Sequence, residues 1–352
     1  MRRTTALLLV VLVLGEVFPA MAQGGGASES LPDAVQLTGF RHEYQGWNNC
    51  GPATLTMALS HFGWEHNQYV AASWLKPDPN DKNVSPWQMA EFVNTQTPFR
   101  ALVRYGGDLE LLRRLIAQDF PVVIAAGYAP EGYDWMGHYL LVMGYDRSAG
   151  TFLTQDSFLG PNTTYPASEI DGYWRHFNRV YVMVYQPERE AELLGLLGDN
   201  GDERVNAAHA LEAARQEVVA NTEDPFGWFN MGPSYVLLGM YQEAAVAYDQ
   251  ARNAGPGLPW RMLWYQFGMF EAYYQVGRYE DVIALAQVNL ATTPDEHPIE
   301  ETYYYAGLAR QALGERDRAL RNFQQALAIN PNYTPAREAL QALPAAGDSD
   351  GG

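Results

Sequence analysis

The spacing of apolar and polar positions changes character partway along the chain. From Val35 to Gln186, short β-rich runs mix with stretches of helical spacing. Residues 52–63 predict an amphipathic helix stopped by Gly63, and 86–95 a second. Leu109 to Gln118 predicts a third, with Asp108 as its N-cap and Leu111, Leu112, Leu115 and Ile116 as its apolar face. Val122–Ala126, His138–Gly144, Thr151–Thr154 and Val180–Tyr185 carry the β-branched and aromatic content of strands. Tyr145-Asp-Arg-Ser-Ala-Gly150 is a hairpin turn between the second and third of these, because Asp, Ser and Gly accept turn geometries. Helices come first and an antiparallel sheet follows, which is an α+β layout.

After Pro187 the chain becomes rich in Ala, Leu and Tyr at helical spacing, and the pattern repeats. Gly239, Gly277 and Gly314 are each followed seventeen residues later by a proline, Pro256, Pro294 and Pro331. Between them stand Ala244/Tyr248/Ala251, Val282/Ala286/Asn289 and Ala319/Phe323/Ala326 at matching offsets. Small residues let paired helices approach, the glycine closes the turn between them and the proline stops the second helix. This resembles the tetratricopeptide repeat, most closely in Tyr303 to Pro331. The middle unit departs from it, with Phe270 at the position of a small Gly and Asn289 in place of the last Ala. Spacings of 37 and 38 residues exceed the usual ~34, which predicts widened inter-repeat loops. Ala207 to Pro225 reads as a degenerate first helix and Thr334 to Leu343 as a cap. Tyr273, Tyr274, Tyr303, Tyr304 and Tyr305 are read mainly as packing residues, with a peptide-binding face as the other reading.

The chain begins with Arg2 and Arg3, the apolar run Ala6 to Leu14, then Pro19 and Ala20-Met-Ala22, the layout of a secretory signal peptide. The expected organisation is a signal peptide at 1–22, a flexible linker at 23–36, an α+β domain at 37–187, a linker at 188–204, a repeat domain with caps at 205–345 and a disordered tail at 346–352. The mature protein is expected in the periplasm or secreted, with no membrane span once the signal is removed. A net charge of −18 argues against nucleic acid as a partner.

Export bears on Cys50, the only cysteine, which therefore has no internal disulfide partner. It lies in Gln45-Gly-Trp-Asn-Asn-Cys50-Gly-Pro-Ala, a polar loop running into a helix. The aligned N–H groups at a helix start favour the thiolate, the nucleophilic form. His138 opens a strand and Asp156 follows the next strand across the hairpin, so an 18-residue separation folds into a neighbouring pair. Thiol, base and orienting carboxylate then appear in the order of papain-like catalysis. His42, His61, His66 and His176 make no recognised metal-ligand spacing, and no phosphate-binding glycine loop is present.

Residues 38 to 186 resemble the C39-like cysteine peptidase family through Gln45-x4-Cys50-Gly-Pro-Ala, Gly137-His138-Tyr-Leu-Leu-Val-Met-Gly-Tyr-Asp146 and Thr154-Gln-Asp156-Ser. The resemblance implies a papain-like fold with Cys50 as nucleophile, His138 as base, Asp156 as orienting group and Gln45 as an oxyanion-hole donor. It implies no metal or organic cofactor. Where the family often has Asp-Pro at the last motif, this chain has Asp156-Ser157. The expected function is an exported peptidase acting on a peptide or protein, with repeats that recruit the substrate or a protein partner. On that view, deleting 205–352 spares hydrolysis of a short peptide. A catalytically silent peptidase-like peptide-binding or assembly protein is the alternative, and other acyl chemistry on the same thiol is a third reading.

Overall fold

A computed structural model describes residues 31–291 and 299–343. The signal peptide, most of the expected flexible linker, Pro294 and the tail at 346–352 lie outside the described residues. The end of that linker does not: Ala34–Gln36 forms β1, paired antiparallel with β4 at Ala34↔Asp146.

The first domain is built from β1, α1 (Cys50–His61), α2 (Gln68–Leu75), α3 (Pro86–Gln96), β2 (Arg100–Arg104), α4 (Leu109–Ala117), β3 (Val122–Tyr128), β4 (Met136–Asp146), β5 (Thr151–Asp156), β6 (Gly160–Pro166), α5 (Ala167–Trp174) and β7 (Tyr181–Tyr185). The seven strands form one antiparallel sheet in the order β2-β7-β3-β4-β5-β6, with β1 against β4. Strand alternation splits its side chains between two cores. Val122, Ile124 and Val142 join the apolar face of α4, while Val123, Ala125, Leu141 and Val182 meet α1 and α3. Apolar faces on both sides explain why β3 and β7 are continuously buried.

Three local features differ from expectation. Helix α1 is buried from Gly51 through Ser60 rather than amphipathic, because the sheet and the neighbouring helices enclose it. β2 and β6 are strands that the pattern did not mark. β6, Gly-Pro-Asn-Thr-Thr-Tyr-Pro, is an edge strand, the position where a sheet tolerates proline. Residues 188–204, read as a linker, are largely helical: α6 (Glu190–Leu197) puts Leu193 and Leu197 into the first core.

The second part is all helical: α7 (Glu203–Ala220), α8 (Pro225–Leu237), α9 (Tyr241–Asn253), α10 (Gly268–Gln275), α11 (Tyr279–Ala291), α12 (Glu300–Ala312), α13 (Arg316–Ile329) and α14 (Thr334–Ala342). The helices from α8 to α13 make three antiparallel pairs, with α7 and α14 at the ends. Gly239, Gly277 and Gly314 turn within these pairs at φ +75°, +79° and +77°, a region open mainly to glycine. A Cβ on Gly232 would stand 2.2 Å from the Tyr248 ring, and one on Gly307 2.5 Å from Phe323. The middle pair reverses this fit: Phe270 takes the glycine position and Ala286 the aromatic one, both in the same core. Its departure from the repeat pattern therefore conserves packed volume. Tyr273 is fully buried and Tyr305 stacks on Phe270, as packing residues do.

Candidate active site

Cys50 is the first residue of α1, after Asn49 as N-cap. It is half-buried and faces a narrow cleft that it shares with His138, Asn48, Lys82 and Val84. The tight β4–β5 hairpin, with Asp146 accepting from the Ala149 N–H and the Ser148 hydroxyl, returns the chain so that Asp156 lies beside His138.

His138 Nε2 bonds Asp156 Oδ1 at 2.9 Å, and the two residues are only 3% and 0% exposed. With Nε2 engaged, Nδ1 is the nitrogen left for Cys50, which lines the same cleft. Burial works against the imidazolium, but hydrogen bonds to Asp156 and Cys50 outweigh it and push His138 up to about 9. Burial also works against the Asp156 carboxylate. Bonds from His138, the Tyr165 hydroxyl and the Phe158 N–H hold it down to about 2. Asp156 Oδ2 accepts from Tyr165 at 2.7 Å, and Oδ1 also accepts from the Phe158 and Leu159 N–H groups at 2.8 and 3.1 Å. The carboxylate is thus ionised, satisfied and fixed in orientation.

Gln45 is tied to the residue after Asp156. Its N–H donates to the Ser157 carbonyl at 2.8 Å, and its Oε1 accepts from the Ser157 hydroxyl at 2.9 Å. Ser157, where the family often has Pro, therefore orients Gln45 and leaves its Nε2 to donate elsewhere. The structure brings Cys50 and His138 into one cleft with Asp156 behind the histidine, whereas Gln45 is not among the residues lining that cleft. Asn48 is, in a left-handed conformation at φ +54°. Sequence reasoning missed Asn48, although it sits inside the quoted motif. It also missed Tyr165, for which no local signal exists. Among the described residues no three His, Cys, Asp or Glu side chains are placed to hold a metal ion.

Residues 31–182 match the model of the Peptidase_C39 like family, and residues 300–333 match that of the tetratricopeptide repeat. The chain carries a C39-like domain followed by tetratricopeptide repeats. No curated protein matches it in sequence. Similar solved structures include a candidate C39-like peptidase from Bacillus anthracis, with 14% identity, TM-score 0.37, and coverage of 44% of this chain and 98% of that one. MamA from Desulfovibrio magneticus gives 19% identity and TM-score 0.33 over 43% of this chain and 81% of its own. A thermophilic repeat protein of Thermus thermophilus gives 17% and 0.32 over 44% and 91%.

The repeats complete the C39-like cleft. Tyr265, in the widened loop between α9 and α10, lines it beside Cys50 and His138. A Cβ on Gly137 would lie 3.0 Å from the Tyr265 ring and 2.9 Å from Phe177, so the residue before the histidine has to be glycine. From α12, Glu301 Oε1 accepts from Asn83 Nδ2 and Ser85 Oγ at 3.0 and 3.1 Å. Glu300 Oε1 accepts from Gln88 Nε2 at 3.2 Å, and Asn330 Nδ2 donates to the Leu75 carbonyl at 2.9 Å. These bonds hold the 76–85 loop, whose Lys82, Asn83 and Val84 line the cleft. Burial, with the charge of the neighbouring Glu300, raises the carboxyls of Asp81 and Glu301 well above the ordinary range, and burial raises that of Glu300. The expectation that 205–352 can be deleted without harm to short-peptide hydrolysis is therefore withdrawn, because the cleft is built partly from that segment.

Proposed function

We propose that this chain is an exported cysteine peptidase that hydrolyses peptide bonds, with repeats that recruit a protein substrate or partner. The observation that carries the reading is the buried His138–Asp156 pair at 2.9 Å beside a thiol at a helix start. His138 takes the Cys50 proton and the sulfur attacks the scissile carbonyl carbon. The Cys50 N–H donates to the resulting oxyanion, and such a donor is commonly worth ~3 kcal/mol. The tetrahedral adduct collapses as imidazolium His138 gives its proton to the departing amine. Water, deprotonated by His138, then attacks the thioester, releases the acid and restores the thiol. Asp156 keeps Nε2 protonated and stabilises the imidazolium throughout. The signal-like N-terminus supports action outside the cytoplasm, and no described helix is long and apolar enough to cross a membrane.

The test is mass-spectrometric labelling of purified protein by a peptidyl cysteine-directed electrophile across pH, comparing wild type with His138→Ala. Fast labelling of Cys50 that depends on His138 at mildly acidic pH is expected. Slow labelling indifferent to His138 would move the function to a silent peptidase-like binding protein.

A further inference from the structure

Tyr139, Phe177 and Tyr265 form one wall of the Cys50 cleft, and the same three rings line a second, larger cavity between the C39-like domain and the repeats. This second space is about 240 Å³ and opens to solvent. Trp87 of α3, Val236 and Leu237 of α8, and Tyr305 of α12 are among its other apolar lining residues. One charged side chain lines it, Glu271, and that group is already engaged, by Gln275 Nε2 at 2.7 Å and by the Tyr305 hydroxyl. These donors are neutral, so Glu271 leaves one acidic edge, while the rest of the lining would meet an apolar guest with aromatic walls already packed in place. A mainly apolar cavity at a domain seam is a common place for recognition, and this one has room for a single bulky side chain rather than a whole ligand.

We propose that this cavity is a substrate pocket that takes a bulky apolar side chain, aromatic or branched aliphatic, from a residue near the scissile bond. The inference rests on the peptidase reading and extends it: the repeats recognise the substrate at the cleft itself. One residue of extended peptide spans ~3.3 Å, so a side chain one or two positions from the carbonyl held at Cys50 reaches the shared wall. Exchanging Ala for Phe or Leu at that position should raise kcat/KM about 10- to 100-fold, the usual worth of filling an apolar pocket.

The experiment uses the full chain and a set of peptides with one common core, in which each position flanking the cleaved bond is Ala, Leu or Phe. Cleavage is read by mass spectrometry, and kcat/KM is measured for the best Phe or Leu peptide and its Ala counterpart. Val236→Phe and Leu237→Phe fill the cavity from the wall contributed by α8, and two fillers guard against one failing to fold. Cys50 alkylation by iodoacetamide, which needs no pocket, serves as the reference rate in every protein. The expected result is a 10- to 100-fold preference in wild type that falls towards unity in the fillers, mainly through KM. Cleavage with no apolar preference, or a preference unchanged in folded fillers, overturns the pocket alone. Normal alkylation with no peptide cut overturns the peptidase reading and the pocket together.

Discussion

Asp156→Asn isolates what the buried carboxylate contributes to the histidine. Asparagine keeps an oxygen for the Phe158 and Leu159 N–H groups, which donate to Oδ1 at 2.8 and 3.1 Å, so the local turn has reason to survive. What disappears is the negative charge that opposes the burial penalty on His138. The rise of His138 from an ordinary 6.5 to about 9 corresponds to about 3 kcal/mol in favour of the imidazolium. Catalysis through a thiolate–imidazolium pair is present below the histidine's pKa and lost as pH rises through it. At pH 8 about 90% of His138 is protonated in wild type, against about 3% for a histidine at its ordinary value. Cys50 also raises His138 and stays in the variant, so Asp156→Asn should be up to about 30-fold slower at pH 8, with the gap narrowing as pH falls. An amide that donates to Nε2 would add a pH-independent loss by holding the wrong tautomer. The assay pairs an NMR titration of the His138 ring with the pH profile of Cys50 labelling by a peptidyl electrophile. An imidazole still titrating near pH 9 in a folded variant, or an alkaline limb that stays in place, would refute the role given to Asp156.

Tyr165→Phe leaves Asp156 Oδ2 without its 2.7 Å donor and should cost about 2 kcal/mol in urea unfolding, with a smaller effect on labelling than Asp156→Asn. Because Asp156 is held at about 2, the stability it provides is present above the ordinary carboxyl range and lost as pH falls towards 2, and Tyr165→Phe should move that loss to higher pH. Gly307→Ala drives a methyl group to 2.5 Å from the Phe323 ring and should destabilise the repeats by about 2 kcal/mol, whereas wild-type stability would deny the close approach. Asp81, Glu300 and Glu301 have raised carboxyl pKa values, so their contribution to stability is present at acid pH and declines as pH rises through those values. Glu301→Gln keeps an oxygen for Asn83 and Ser85 while removing one charge. It should raise the thermal midpoint at pH 8 by about 2 °C and have little effect at pH 4, and a variant less stable at pH 8 would contradict the charge argument.

Much of the fold could be read locally. The apolar face of α4, the strand runs at Val122 and Val180, the Asp146–Gly150 turn and the periodic glycines each carry their signal within a dozen residues. The proximity of His138 and Asp156 was equally readable, because one hairpin brings them together. What stayed hidden depends on pairings that no window contains. Asn83 meets Glu301 across 218 residues, and Asn330 meets Leu75 across 255. The segment carrying Tyr265 reads only as a long inter-repeat loop, since its role comes from the glycine it covers. β1 and β6 are too short or too rich in turn residues to show a period. The buried acids near α12 look, in sequence, like an ordinary acidic first turn.

The seam at Glu301 also orders events in time. Asn83 and Ser85 find this acceptor only in a helix that begins more than two hundred residues later. A chain emerging N-terminus first carries its thiol long before that helix exists, and domains generally begin to fold as they emerge. Until the α9–α10 loop docks the cleft lacks the wall supplied by Tyr265, and until α12 docks the 76–85 loop lacks its anchor. An unfinished or C-terminally clipped molecule is therefore expected to lack a formed cleft.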